Sequence, residues 1–306
     1  RKKKNKKSSV IVYARKEKNN NLLNYDAINK LLLKNKIFAP KLLSENFSKN
    51  FIEIEDLGSK TILDIFKKKK INKLKIYKKI LVILIKLQNI KLNKIKNFKN
   101  QYYKIPVYSK KLIFNEANLF LDWYVPHIIN KRKKSKIKKE LKKIINSLIK
   151  KIKLPNSTFV HRDFHVSNLM INNNKISIID SQDAVYGNIS YDLASLIDDV
   201  RLKTSKNLKA MIYKNYLKLN KKNINKIKFK NDFEILSVLR NLKVIGIFTR
   251  LALRDKKKKY LKLIPYTWKL IEDRIDNNSI FIDLKKNLED NFPKKIRIKK
   301  WKLKLH

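Results

Sequence analysis

The sequence predicts an α+β protein, with a short strand-bearing N-terminal piece followed by a large helical body that contains one β-hairpin. Three observations carry this. Strand signals cluster near the start, where SSVIVYA (8–14) is rich in β-branched residues and FIEIEDL (51–57) alternates apolar with acidic. Beyond residue 61 the apolar residues recur mostly at helical spacing. Inside that body two apolar runs, 169–171 and 176–179, flank Asn172-Asn173-Asn174-Lys175, a composition suited to a hairpin turn.

The elements follow in order. After the strand at 8–14, residues 25–33 carry apolar side chains at helical spacing, ended by Asn35 and Pro40. Strand 51–57 reads as half-buried and is broken by Gly58. A helix is expected from Thr61. Residues 71–90 form a long amphipathic helix, with Ile76, Ile80, Ile83, Leu84 and Leu87 as its core stripe. Another covers 115–130 and carries Trp123 and Tyr124. The lysine-rich stretch 131–153 keeps a buried face of Ile137, Leu141, Ile144, Ile145 and Leu148, and Pro155 stops it. From Ser190 the chain is helical to about Asp276, apart from a basic loop at 255–259. There is no internal repeat and no Gly/Ser linker, so the chain divides into residues 1–57 and 58–306.

Composition narrows the class. A chain of 306 residues with 43% apolar content buries a full core in one large domain or two modest ones. With no cysteine there are no disulfides and no thiolate metal ligands. A membrane helix needs roughly 18 to 20 apolar residues, and the best run, 80–85, falls far short. A cytoplasmic protein with no membrane partner is expected. The chain opens on Arg1 rather than Met, so the first residues of the gene product are expected to precede it. The net charge of +51 attracts polyanions. Lysine is spread along the whole chain, however, and only three glycines accompany it, as an A/T-rich coding bias produces. A dedicated nucleic-acid surface is therefore not expected, although the field helps recruit an anionic nucleotide.

The chemistry sits in residues 158–180, TFVHRDFHVSNLMINNNKISIID. His161-Arg162-Asp163, four further residues and then Asn168 match the spacing H-R-D-x-x-x-x-N of phosphotransferase catalytic loops. Asp180 follows at the end of the hairpin. Phosphoryl transfer needs an acceptor oxygen in line with the γ-phosphate, a carboxylate to take its proton, and divalent metal to neutralise phosphate charge. Asp163 on a loop can face the acceptor hydroxyl. Asn168 and Asp180 offer Mg²⁺ hard oxygen ligands, with the rest of its shell left to phosphates and water. His161 reads as a positioning residue rather than a base.

Asp163, His165 and Asn168 give the pattern Asp-x-His-x-x-Asn, which resembles the aminoglycoside-phosphotransferase and choline-kinase superfamily. Residues 179–198, IDSQDAVYGNISYDLASLID, are similar to the bacterial anomeric amino-sugar kinases of cell-wall recycling, and so are 55–62, 116–124 and 241–265. The likeness runs in order from about residue 31 to 270. It implies a two-lobed, protein-kinase-like fold with a small, N-terminally incomplete β-rich lobe and a large helical lobe. It also implies an ATP- and Mg²⁺-dependent kinase acting on the anomeric hydroxyl of N-acetylmuramate or N-acetylglucosamine. Carried over, Asp163 is the base and Asn168 and Asp180 the Mg²⁺ ligands. Glu55, Asp56 and Leu57 form the hinge whose backbone meets adenine. His161, His165 and Asp192 support the loop, and Glu116, Trp123 and Arg250 lie on the acceptor side.

The chain also departs from that pattern. A glycine-rich phosphate-covering hairpin is absent and is expected before Arg1. No lysine follows the first strand where kinases hold the α- and β-phosphates; Arg15 and Lys16 are the nearest candidates. Ser181 stands where phenylalanine is usual, and Lys256–Lys259 replaces a glycine-containing turn. Two alternatives stay open, namely a kinase of another acceptor (an aminoglycoside, choline, homoserine or a different sugar) and a non-catalytic nucleic-acid binder on a kinase scaffold.

Overall fold

The computed structural model describes residues 8–68, 71–172, 175–220 and 224–298. In chain order it builds β1 (Ser9–Tyr13), α1 (Asn20–Lys34), β2 (Leu42–Asn46), β3 (Phe51–Glu55), α2 (Ile62–Lys68) and α3 (Lys73–Gln88). A short ribbon, β4 (Lys94–Lys96) and β5 (Tyr102–Lys104), comes next. Helix α4 (Lys110–Leu119) runs through a π-helical turn, Phe120–Tyr124, into α5 (Val125–Ile128), and α6 (Lys131–Lys150) follows. Four strands come after that: β6 (Thr158–Val160), β7 (Leu169–Asn172), β8 (Lys175–Ile178) and β9 (Val185–Gly187). The chain then continues through α7 (Tyr191–Ile197), α8 (Lys206–Leu219), α9 (Lys226–Leu253), α10 (Ile264–Ile275), α11 (Ile282–Asn291) and α12 (Lys294–Arg297).

These elements form two compact units. The first takes the described residues of 1–107, 155–199 and 204–222, and the second those of 108–154, 200–203 and 223–306.

In the first unit, β1, β3 and β2 make an antiparallel sheet in the order β1-β3-β2. The alternation read from the sequence of β3 is its structure: Ile52 and Ile54 are buried against Leu22 and Tyr25 of α1, while Glu53 faces outward. There Glu53 accepts hydrogen bonds from the hydroxyls of Ser9 on one neighbouring strand and Ser44 on the other. Helix α3 starts at an Asn72 cap whose side chain accepts from Lys75 N–H at 3.1 Å. It buries Tyr77, Ile80, Leu81, Leu84 and Leu87, so its core face is centred slightly off the expected stripe; Ile76 and Ile83 are only half-buried. At its end Gln88 donates to the carbonyl of Ile189 (2.9 Å) and accepts from Tyr216 Oη (2.8 Å), pinning α8 and the segment before α7 to α3. Every polar atom named there has a partner, as a buried amide requires.

The second unit is helical in its described residues. Helix α9 spans 28 residues and buries much of its length. Gly246 lets it cross α4 at backbone contact: a Cβ there would lie 2.3 Å from the Leu119 carbonyl carbon and 2.6 Å from Phe120 N. The π turn begins at that crossing. Phe120, Tyr124, Trp268 and Phe292 pack as one aromatic cluster, and Trp268 Nε1 donates to Tyr124 Oη at 3.0 Å. In α6 the many lysines repel, but like-charge pairs cost only a few tenths of a kcal/mol each. Burial of Ile137, Leu141, Ile145, Leu148 and Ile149, at about 1.5–3 kcal/mol per side chain, dominates.

Sequence periodicity misses β2, the β4–β5 ribbon and the β6–β9 pair, all strands of three to five residues. The helix expected at 115–130 starts earlier, at an Ser109 cap, and changes to π geometry midway. The hairpin strands appear in antiparallel register, Leu169 opposite Ile178 and Asn172 opposite Lys175. Asn173 and Asn174 of its expected turn lie outside the described residues.

Candidate active site

The catalytic loop leaves β6, which is held by antiparallel pairing of Thr158–Val160 with Val185–Gly187. At the first corner the buried carboxylate of Asp192, in α7, accepts from the backbone N–H of His161 (2.6 Å) and of Arg162 (3.0 Å). Arg162 sits at φ 72. That left-handed backbone costs a non-glycine residue about 1–2 kcal/mol, and charge-assisted hydrogen bonds at about 1.5–3 kcal/mol each hold it there. Arg162 Nη1 donates to the Asp183 carbonyl at 3.0 Å, tying the loop to the segment beyond the hairpin. Next the carbonyl of Asp163 accepts from His165 N–H (3.0 Å) and from Asn168 Nδ2 (3.1 Å), which curls residues 163–168 into a closed turn. Phe164 drops into the core with its ring edge-on to His161, centroids 6.3 Å apart.

The hairpin then brings the remaining residues to the same place. Ile179 N–H donates to the Asn168 carbonyl at 3.1 Å, so Asn168 faces the residue just before Asp180. Asp180 turns the chain outward at φ 65, leaving its carboxylate exposed and Oδ1 accepting from Gln182 Nε2 at 3.0 Å. His161 lies fully buried behind them, its ring against the Ile179 backbone. Burial pushes its pKa below the usual histidine value, against the opposing pull of the Asp163, Asp180 and Asp183 carboxylates. The imidazole is therefore neutral, with Asp163 half-buried and Asp180 and Asp183 at the surface.

The donors suit magnesium. Among the described residues no group of three or more His, Cys, Asp or Glu side chains converges. Mg²⁺ asks for none, because it keeps waters and substrate phosphates and takes only one or two protein carboxylates. Asn168 spends its amide N–H on the Asp163 carbonyl, which turns Oδ1 away as a neutral oxygen donor. Asp180 supplies the anionic oxygen.

Of the residues expected at the nucleotide, Glu55 ends β3 and Asp56 and Leu57 follow it, all three half-buried. Gly58, at φ 91, donates its N–H to Asp56 Oδ1 at 2.8 Å and turns the chain toward the hairpin. Two residues on, the Lys60 carbonyl accepts from Ile171 N–H at 3.0 Å, so the segment behind 55–57 is fastened to β7. Arg15 and Lys16 are exposed on a turn beyond β1, at the end of the sheet where Tyr13 faces Phe51; Glu55 lies at the other end, facing Ser9.

Glu116, Trp123 and Arg250, expected on the acceptor side, belong to the second unit. Glu116 is buried, accepting from Tyr108 Oη and paired with Lys243 Nζ at 2.9 Å. Trp123 is half-buried in the π turn, its carbonyl 2.8 Å from His127 Nδ1. Arg250 is half-buried near the end of α9.

Asp183, Tyr103 and Asn29 are neighbours of the site that the sequence reading does not single out. Asp183 answers Arg162, and Tyr103 of β5 stands near enough to feel the charges of both. Ser181 is fully buried and donates to Asn29 of α1 at 2.7 Å. Contacts spanning 152 residues of chain leave no local signal to read.

The chain is similar to known proteins over much of its length. Residues 105–223, which include the whole catalytic loop and hairpin, match the phosphotransferase enzyme family. The N-acetylmuramate/N-acetylglucosamine kinase of Pseudomonas aeruginosa is 26% identical over 244 residues, 78% of this chain and 69% of that protein. The protein of the same name from Neisseria meningitidis is 32% identical over 166 residues, 53% of this chain and half of its own length. Among solved structures, ADP-bound aminoglycoside phosphotransferase APH(2'')-Ib superposes with a TM-score of 0.58 at 16% identity, covering 87% of this chain and 86% of that one. The choline kinase LicA from Streptococcus pneumoniae gives 0.58 at 13% identity, covering 90% and 86%. The fold is thus the kinase-like α+β fold of these enzymes, and the proteins this chain resembles are small-molecule kinases.

Proposed function

We propose that this chain, a relative of small-molecule phosphotransferases, moves the γ-phosphoryl group of ATP to the anomeric hydroxyl of an N-acetylated amino sugar. The observation that carries the reading is the closed turn of residues 163–168, in which Asn168 bonds the Asp163 carbonyl and accepts from Ile179, the residue before Asp180. Asp163 accepts the proton of the sugar hydroxyl as its oxygen bonds to the γ-phosphorus; the bond from phosphorus to the bridging oxygen breaks and ADP leaves. Asp180 and Asn168 would hold Mg²⁺, which when bound neutralises phosphate charge. The 55–57 backbone meets adenine, Arg15 contacts the α- and β-phosphates, and Glu116, Trp123 and Arg250 serve the acceptor. The names of the Pseudomonas and Neisseria relatives support the choice of sugar. A cytoplasmic site fits a kinase of recycled cell-wall sugars, and no described helix is long and apolar enough to cross a membrane.

The test is nucleotide consumption against a panel of N-acetylmuramate, N-acetylglucosamine, aminoglycosides, choline and homoserine. Turnover on either amino sugar, with phosphate at C1 in the product, is the expected result. Turnover on another acceptor alone would keep the chemistry and replace the sugar. Salt-sensitive binding to DNA or RNA with no turnover on any acceptor would replace both.

A further inference from the structure

Beside the reacting residues, α1 reaches the metal-binding segment through one buried polar contact. Ser181, the residue after Asp180, is fully buried and its hydroxyl donates to Asn29 Oδ1 at 2.7 Å. Asn29 is 3% exposed and its amide is also hydrogen-bonded to Tyr25, one turn earlier on the same helix. Tyr25 is buried and close enough to Asp180 for that carboxylate to raise its phenol pKa further, on top of the larger effect of burial. Two successive turns of α1 therefore look onto residues 180–181.

On the other side Asp180 has, at its carboxylate, the exposed contact from Gln182 Nε2 at 3.0 Å. Its backbone is left-handed at φ 65, its side chain is exposed, and the ladder bonds of β8 end at Ile178 and Ile179. A non-glycine residue keeps that conformation only when both flanks are fixed. The β7–β8 register fixes the flank before it, and the Ser181–Asn29 bond fixes the flank after it.

We propose that Asn29, acting through Ser181, is a positioning residue that sets the direction of the Asp180 carboxylate and so couples α1 to Mg²⁺-nucleotide binding. The inference rests on the phosphotransfer reading above. The chemistry explains the residue pair. Ser181 is a donor and Asn29 Oδ1 an acceptor in a site closed to water, so loss of either leaves the other buried and unsatisfied. Replacing both by apolar groups of similar shape removes that penalty, apart from the Tyr25 hydroxyl left without its amide partner, and also removes the directional contact.

This separates structure from positioning. Titration of ATP binding with Mg²⁺ is measured by calorimetry for the unchanged chain, for Ser181→Ala, and for the double variant Asn29→Leu/Ser181→Ala, alongside thermal melts. The single variant is expected to lose stability, and the double variant to recover most of it. The Mg²⁺ needed for half-maximal ATP binding is nevertheless expected to rise roughly tenfold in the double variant. Backbone amides of 179–183 should also exchange faster with solvent deuterium there. A double variant that melts like the unchanged chain and binds ATP at the same Mg²⁺ concentration would overturn the proposal and leave the phosphotransfer reading standing. No Mg²⁺-dependent ATP binding by the unchanged chain would overturn that reading, and the coupling with it.

Discussion

The carboxylate of Asp192 holds the backbone N–H of His161 at 2.6 Å and, through its second oxygen, that of Arg162 at 3.0 Å. One buried acid on α7 thereby fixes the corner from which Asp163 projects. Asp192→Asn keeps the shape and removes one acceptor, leaving a buried N–H without its partner. The expected cost is about 1–3 kcal/mol of stability, read as a lower urea midpoint, together with a fall in kcat larger than the rise in KM. Unchanged stability would mean the corner does not depend on this acid.

Asp163 and Asp180 should separate when each is removed. Asp163→Asn is expected to keep Mg²⁺-ATP affinity within about twofold and lower kcat by about 10²–10⁴. Asp180→Ala should weaken Mg²⁺-ATP binding itself, because it deletes the anionic oxygen. Isothermal titration and steady-state kinetics on the same preparations decide it, and equal losses of nucleotide affinity in both would reverse the assigned roles.

Burial sets the pH response of His161. Its folded pKa lies below the unfolded value of about 6.5. Above that value both states are neutral and the group contributes no pH dependence. Below it only the unfolded chain takes the proton, so stability falls with pH at up to about 1.4 kcal/mol per unit until the folded pKa is reached. His161→Leu should flatten that part of the curve between parent and variant, measured by urea unfolding from pH 7 to 5. Parallel curves would show that the ring is protonated in the folded protein.

Gly246 tolerates no side chain. The Cβ of Gly246→Ala would lie 2.3 Å from the Leu119 carbonyl carbon, 2.4 Å from its oxygen and 2.6 Å from Phe120 N, all of them backbone atoms. Helices α9 and α4 must move apart, at a cost of about 1–3 kcal/mol or more. A melting temperature lowered by several degrees is expected, and an unchanged one would refute the close crossing.

Much of this was legible beforehand. The alternation in FIEIEDL is a half-buried strand, and the spacing from Asp163 to Asn168 and on to Asp180 gave the loop and hairpin. Both are local, written in periods of two or in turn chemistry. The β6–β9 pair was not, because Thr158–Val160 and Val185–Gly187 are three residues each and find each other across 27 positions. The partners Asp183 and Asn29 escaped for the same reason: their meaning lies in what tertiary packing sets beside them. Arg162, to which the spacing alone assigns no role, is a clasp on the Asp183 carbonyl.

Six of the described residues other than glycine take left-handed backbone: Lys36, Asn50, Asn100, Arg162, Asp180 and Lys256. Glycine would enter those corners with no steric penalty, where L side chains meet about 1–2 kcal/mol, and asparagine and aspartate less. A glycine-rich unfolded chain, though, has more freedom to surrender, about 0.4–1 kcal/mol per position. The second offsets roughly half of the first at lysine and arginine and more at asparagine and aspartate, so a sequence with only three glycines loses little net stability at these bends. What changes is their compliance: corners built from asparagine, lysine, arginine and aspartate have fewer backbone conformations open to them than glycine ones.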